Sequence, residues 1–259
     1  TRRAYMWAYA RSWHDAVPGV VYDFCRGRGA QYPVAFLNGD ERRGERRWSG
    51  TLLTDRYGGY EAVVDPQHYP GRMSAACAAH ARRNFEELAH EGTSPIGLDA
   101  LRRFARIYEV EGELKALSDE ERRAQRQRLA RPLWNELRQW LELERRVVAE
   151  GGATAKAIDY TLRHWTALTQ HLADGAVPLD NNHLERQIKP WAMGRKAWQF
   201  VGSELAGERA AIVMSLVQSA RINGHEPWAY LRDVLQRLPT LRNSQLDELL
   251  PHRWTPAHA

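Results

Sequence analysis

Acidic and basic side chains crowd one stretch of this chain. Between Asp180 and Ser203 lie Asp180-Asn181-Asn182, Glu185-Arg186, Lys189-Pro190 and Gly194-Arg195-Lys196-Ala197-Trp198. Asp180 or Asn181 can cap a helix by accepting a backbone N–H, which puts Glu185 near the helix start with Arg186 and Lys189 close by. Pro190 is expected to end or bend that helix. The basic turn Gly194-Arg195-Lys196, with Trp198 two residues on, suits a phosphate backbone and a stacked base. The same composition also suits an ordinary capped helix with a solvated charged face and a core Trp, and this stretch alone does not separate the two. A second carboxylate adds weight to the chemical reading. Thr51-Leu52-Leu53-Thr54-Asp55 reads as a short apolar strand ending in an acid, followed by the Gly-rich turn Arg56-Tyr57-Gly58-Gly59-Tyr60. An acid at a strand end beside a flexible turn is a usual place for a metal ligand.

These side chains need elements to hold them. Ala4 to Ala10 and Val20 to Phe24, joined through Pro18-Gly19, read as a hairpin. Ala30 to Leu37 suits a short helix, and Asp40 to Trp48 a charged loop whose Arg42, Arg43, Arg46 and Arg47 suit a solvated surface, with DNA contact as the minority reading. Met73 to Cys77 reads as another strand running into a helix over Ala78 to His90. Cys77 and His80 make a C-x-x-H pair, but zinc needs two further ligands, so a buried Cys and a packing or hydrogen-bonded His are preferred. From Leu98 to Leu172 apolar residues recur at helical spacing, as in Leu129, Leu133, Leu137, Trp140 and Leu141. Ser118-Asp119-Glu120-Glu121 is a capping box, and Arg122, Arg123, Arg126 and Arg128 behind it suit a solvated face, with DNA contact as the less common reading. Ala210 to Ile222 is apolar almost all round, predicting a buried helix stopped at Asn223-Gly224. Pro227 opens a further helix with Trp228, Leu231, Val234 and Leu235 as its apolar face. Beyond Pro239 the pattern fades.

With 259 residues, 43% of them hydrophobic, the chain can build a real core. A net charge of +5 favours a polyanionic partner only mildly. Cys25 and Cys77 are the only cysteines, which argues against a disulfide framework and for a reduced, cytoplasmic setting. No apolar run approaches the ~20 residues that cross a bilayer, so no membrane partner is expected.

Five ordered blocks resemble those of the insertion-sequence 66 (IS66) family of bacterial DDE transposases. They are Thr54-Asp55-Arg56-Tyr57-Gly58-Gly59-Tyr60, Cys77-Ala78-Ala79-His80-Ala81-Arg82-Arg83-Asn84-Phe85, the Asp180 to Ser203 run, Gly207-Glu208-Arg209-Ala210-Ala211, and the stretch from Asn223-Gly224 to Asp233-Val234-Leu235. The likeness runs from about Tyr5 to about Pro239. It implies an α/β fold: a ribonuclease-H-like (integrase-type) core with a large all-helical insertion and a helical C-terminus. The first portion of the core would span 1–90, the insertion 91–175, the second portion of the core 176–239 and a C-terminal tail 240–259.

The resemblance also implies the activity, metal-dependent DNA cleavage and strand transfer at the element's ends. Asp55 and Glu185 become the second and third members of an Asp, Asp, Glu triad. They would ligate two Mg²⁺ (or Mn²⁺) ions roughly 3.5 to 4 Å apart, which activate the attacking oxygen and stabilise the leaving one. Arg186, Lys189, Arg195 and Lys196 would position phosphates, and Trp198 would stack on a base or pack in the core. The implied partners are element terminal repeats, target DNA, further copies of the chain in the active complex, and accessory transposition proteins. The family's first Asp lies on a strand before the one matching Tyr5 to Tyr9, and no residue here corresponds to it. Asp15 and Asp23 are the nearby acids, and Asp23 matches the following strand. The expectation is a fragment or degenerate copy, inactive alone. Two other readings are a non-catalytic, transposase-derived DNA-binding or regulatory protein and a helical scaffold working through Leu98 to Leu172. Retention of both acids with their flanking blocks weighs against them.

Overall fold

The computed structural model describes residues 2–40, 42, 46–92 and 94–256. They fall into two compact units, one built from Thr1–Pro33 with Asn182–Ala259 and one from Val34–Asn181. This division differs from the four segments expected from sequence. Residues 34–90 coalesce with the helices that follow, and 240–256 join the helices before them.

In the terminal unit, β1 (Tyr5–Ala10) pairs antiparallel with β2 (Val20–Cys25), Tyr5 opposite Cys25 and Ala10 opposite Val20. Two strands alone are marginal in water, so a helix must cover them. That helix is α9 (Glu204–Ile222). Its Ser215 hydroxyl accepts the Tyr22 N–H at 2.9 Å, and its Ser219 hydroxyl accepts the Val20 N–H at 3.0 Å and donates to the Val20 carbonyl. Gly207 permits the approach, because a Cβ there would lie 2.5 Å from the Phe24 ring. The prediction of a helix buried all round is corrected. Ala211 and Ala220 are buried, but Ile212 is 61% exposed and Val213 47%, since α9 packs only part of its surface.

The apolar face expected of α10 (Pro227–Arg237) is corrected likewise: Val234 is buried, whereas Trp228 and Leu235 are exposed and Trp228 stacks on Arg232. The segment where the sequence pattern faded is part of this core. Leu249 and Trp254 pack with Tyr230 and Val234; the Tyr230 hydroxyl donates to the Leu249 carbonyl, and the Trp254 indole N–H to Asp233.

The central unit holds α1 (Gln31–Asn38) from its residue Val34 on, and the parallel pair β3 (Gly50–Thr54) and β4 (Arg72–Ala76). Then come α2 (Ala78–Gly92), α3 (Pro95–Glu113), α4 (Asp119–Gln125), a π-helical turn over Arg126–Ala130, α5 (Arg131–Val147), α6 (Ala153–Arg163) and α7 (Trp165–Leu168). The predicted capping box is present: the Ser118 hydroxyl accepts from Glu121 N–H while the Glu121 carboxylate receives the Ser118 N–H. A ladder of rings, Phe85, Phe104, Trp134 and Trp165, with centroids 5.4 to 6.2 Å apart, ties α2, α3, α5 and α7 together.

Arginines act as internal staples here. Arg72, buried, donates to the carbonyls of Leu37, Trp48 and Val63 and stacks 4.2 Å from the Tyr69 ring. Of the loop arginines, Arg42, Arg46 and Arg47 are exposed as expected, and Arg43 lies outside the described residues. The solvated face expected for Arg122, Arg123, Arg126 and Arg128 is half wrong. Arg123 and Arg128 are exposed, but Arg122 and Arg126 are buried and donate to carbonyls between His171 and Val177. Arg126 also forms an ion pair with Glu111.

Removing one partner of a buried ion pair strands the other, so Arg126→Ala should cost about 3 to 5 kcal/mol, read by urea unfolding. Arg128→Ala should stay within about 0.5 kcal/mol. His171 gives a second expectation. It is buried, its Nδ1 must carry a proton because it faces the Leu168 carbonyl at 2.8 Å, and burial followed by the Arg126 charge pushes its pKa down to about 3. The unfolded chain takes up this proton near pH 6.5, the folded chain only near pH 3, so stability falls as pH drops through that window. The stability-versus-pH slope there should be shallower in His171→Gln by one proton, about 1.4 kcal/mol per pH unit.

Candidate active-site carboxylates and basic helix

Asp55 stands one residue past β3, where the strand's last residue, Thr54, is buried and Asp55 itself is exposed. Its side chain is oriented locally: Oδ1 accepts the Tyr57 N–H at 3.0 Å, an Asx turn. Around it stand Tyr60, from the 3-10 helix Gly58–Val63, and Tyr160, from α6, whose hydroxyl donates to the Asp55 carbonyl at 3.4 Å. Burial, then the Asp55 charge, pushes Tyr60 up to about 12. Tyr160 is raised by burial, then by Cys77 and Asp55.

Two backbone bonds align three segments at this end of the unit. Cys77 N–H donates to the Thr54 carbonyl at 3.0 Å and Ala78 N–H to the Leu179 carbonyl at 3.1 Å. Asp180 therefore comes one residue after Leu179, which is bonded just past β4's end, and its Oδ2 accepts the Tyr108 hydroxyl at 3.0 Å. The Asn181 N–H points at the Cys77 sulfur, 3.4 Å away. Cys77 is buried, in keeping with the packing role preferred for the C-x-x-H pair, and burial lifts its thiol to about 11; His80 is half-buried. Among the described residues no group of three or more His, Cys, Asp or Glu side chains is gathered to hold a metal.

Glu185 belongs to the terminal unit, in the first turn of α8 (Asn182–Trp198). An acid there is favoured by the helix's positive end. Pro190 does not end this helix, and the basic turn expected after it is corrected: α8 runs through Pro190, and Arg195 and Lys196 form its last turn, where cations meet the helix's negative end. Leu184 and Trp191 pack on the β1–β2 sheet, and the Tyr22 hydroxyl donates to the Gln187 carbonyl between them. With those positions facing inward, Glu185, Lys189 and Lys196, spaced i, i+4 and i+11, share another stripe. Arg186, Lys189, Arg195 and Lys196 are all exposed.

Trp198 lies at the surface rather than in the core. It is 50% exposed, yet its ring meets Trp191 edge-on at 6.1 Å and folds back over Gly194, where a Cβ would lie 2.3 Å from it. Of the other acids near the first strands, Asp15 pairs with Arg11 and Asp23 accepts from the Cys25 thiol. Sequence reasoning missed Tyr108, Tyr160 and Arg56 as neighbours of the carboxylates.

Several known proteins are similar to this chain. The sequence pattern of the family described as "Transposase IS66 family" matches residues 1–209, and that of the "IS66 C-terminal element" matches 215–252. Two uncharacterized proteins of Sinorhizobium fredii are relatives. Protein y4hP is 35% identical over 94% of this chain and 45% of its own length; y4jD is 34% identical over 98% and 50%. The chain thus spans about half the length of these curated relatives. No solved structure matches.

Gly194 supplies a test of this geometry. Gly→Ala inside a helix ordinarily gains about 1 kcal/mol. Here Gly194→Ala should displace the Trp198 ring from its notch, so tryptophan emission should shift to the red and iodide quenching should rise, with that gain reduced or lost.

Proposed function

The chain belongs to the IS66 transposase family, and we propose that it is the portion of a DNA transposase that carries the second and third acids of the catalytic triad, on a ribonuclease-H-like core. The observation that carries this reading is the placement of Asp55. It is an exposed carboxylate past the end of a parallel strand pair, oriented by its own turn, within a sequence the family pattern matches. Glu185 contributes a second carboxylate from a helix that bears four exposed cations.

The donor chemistry of the two acids fits a hard cation such as Mg²⁺ or Mn²⁺, since both offer oxygen ligands. When bound, such ions supply charge stabilisation to the oxygens attacking and leaving phosphorus. Everything else is the work of the chain. Arg186, Lys189, Arg195 and Lys196 neutralise and register phosphates of the element end and target, while the half-open Trp198 ring offers a face to a base. The Tyr57 N–H holds one Asp55 oxygen and leaves the other side of the carboxylate for a ligand. Further copies of the chain and accessory proteins complete the reading at the level of the assembled complex.

Binding to a duplex carrying an element end, measured with EDTA present as salt is varied, tests the DNA contact separately from the chemistry. Each phosphate contact contributes about 0.9 to the slope of log K against log salt. Replacing Arg186, Lys189, Arg195 and Lys196 together by Gln should therefore flatten that slope by about 3 to 4. Asp55→Asn and Glu185→Gln should leave it unchanged while abolishing metal-dependent strand transfer by a version of the relatives' full length. An unchanged slope in the fourfold variant, or strand transfer surviving either acid's loss, would sink the proposal.

A further inference from the structure

Arg56 occupies a backbone conformation that costs an arginine energy. Its φ is +65°, the left-handed region that glycine enters freely and other residues seldom. Two glycines follow at 58 and 59, so the turn has no shortage of flexible residues. Strain of this kind persists where the surroundings enforce it, and it clusters at ligand-binding sites. Here the enforcement is visible. The Arg56 N–H donates to the Thr54 hydroxyl at 3.2 Å, and its Nη1 donates to the Ser74 hydroxyl at 2.6 Å.

The Arg56 charge acts on Tyr160 and His164 but has no ion-pair partner among the described residues, and its buried Nε has no hydrogen-bond partner. Elsewhere in the central unit, the buried arginines at 72, 122 and 126 each satisfy several acceptors. Arg56, the residue next to Asp55, also lines an open surface depression of about 480 Å³. That space is not a simple anion hole. Glu61 and Asp65 line it too, Asp65 engaged by His68 at 2.6 Å. A ligand that suits all three presents a phosphate to the arginine and N–H groups to the carboxylates, which is what a nucleotide does.

We infer that Arg56 and this open depression take an unpaired nucleotide of the DNA strand led to Asp55, with Arg56 on its phosphate and Glu61 and Asp65 facing the amino groups of its base. The inference rests on the transposase reading above and adds to it a strand-end subsite on the Asp55 side.

The experiment compares fluorescence anisotropy of the 259-residue chain with two labelled duplexes of one sequence, blunt or bearing a short single-stranded overhang, in EDTA. The wild-type chain should prefer the overhang by about tenfold, the worth of one charge-assisted contact. Arg56→Gly removes the guanidinium while favouring the left-handed backbone, so its melting temperature should not fall and its preference should drop to within about twofold. Arg56→Lys should keep some of the preference. If the wild-type chain lacks the preference, or Arg56→Gly retains it, while the fourfold α8 variant loses DNA, the subsite is wrong and the transposase reading stands. If the wild-type chain binds neither duplex, both fall.

Discussion

Two backbone hydrogen bonds, from Cys77 to Thr54 and from Ala78 to Leu179, set the frame for the carboxylates of the central unit. They bring together chain segments separated by more than a hundred residues and end them side by side. Cys77 sits in the middle with its sulfur under the Asn181 N–H, and Asp55 and Asp180 emerge beyond. Asp55 takes its orientation from its own turn, whereas Asp180 meets a tyrosine of α3. Short-range and long-range devices therefore share the work of fixing carboxylates at one end of a two-stranded sheet that is too small to do so alone.

What lets so small a sheet serve as a frame is the helical mass around it. The ring ladder from Phe85 to Trp165 supplies apolar burial, and the buried arginines supply rigidity where the backbone leaves carbonyls unpaired. Arg122 and Arg126 hold the turn from His171 to Val177, the segment that leads into Leu179 and Asp180. Arginine suits this task better than lysine because its planar fork satisfies several acceptors at once and stays charged when buried. The helices between α2 and α8 are thus among the means by which Asp180 is placed.

The terminal unit solves the same problem of a two-stranded sheet differently. Serine hydroxyls of α9 meet the backbone of β2, and a glycine at 207 removes the side chain that would otherwise hold helix and strand apart. The sheet then supports α8 through Leu184, Gln187 and Trp191, leaving the stripe with Glu185, Lys189 and Lys196 turned elsewhere.

Local chemistry determined much of this before any folding was considered. Helical periodicity located the helices between Ala78 and Leu172, the capping box at Ser118 marked a true helix start, and aromatic and β-branched residues around Pro18-Gly19 marked the hairpin. Asp55 at a strand end and Glu185 in a first helical turn were also readable, because each depends only on its neighbours in sequence. Tertiary structure decided the rest. Arg126 looked solvated because the carbonyls it binds lie 45 or more residues away and its carboxylate partner, Glu111, sits on another helix. Leu249 and Trp254 looked like a tail because their partners, Tyr230 and Val234, carry no local mark of the pairing. Pro190 looked like a stop because propensity is a weak prior, and packing of Leu184 and Trp191 on a sheet carries α8 past it. Burial, and with it the charge state of His171 and the reach of Tyr108 to Asp180, is a property of which segments meet, and no window of sequence contains both sides of such a contact.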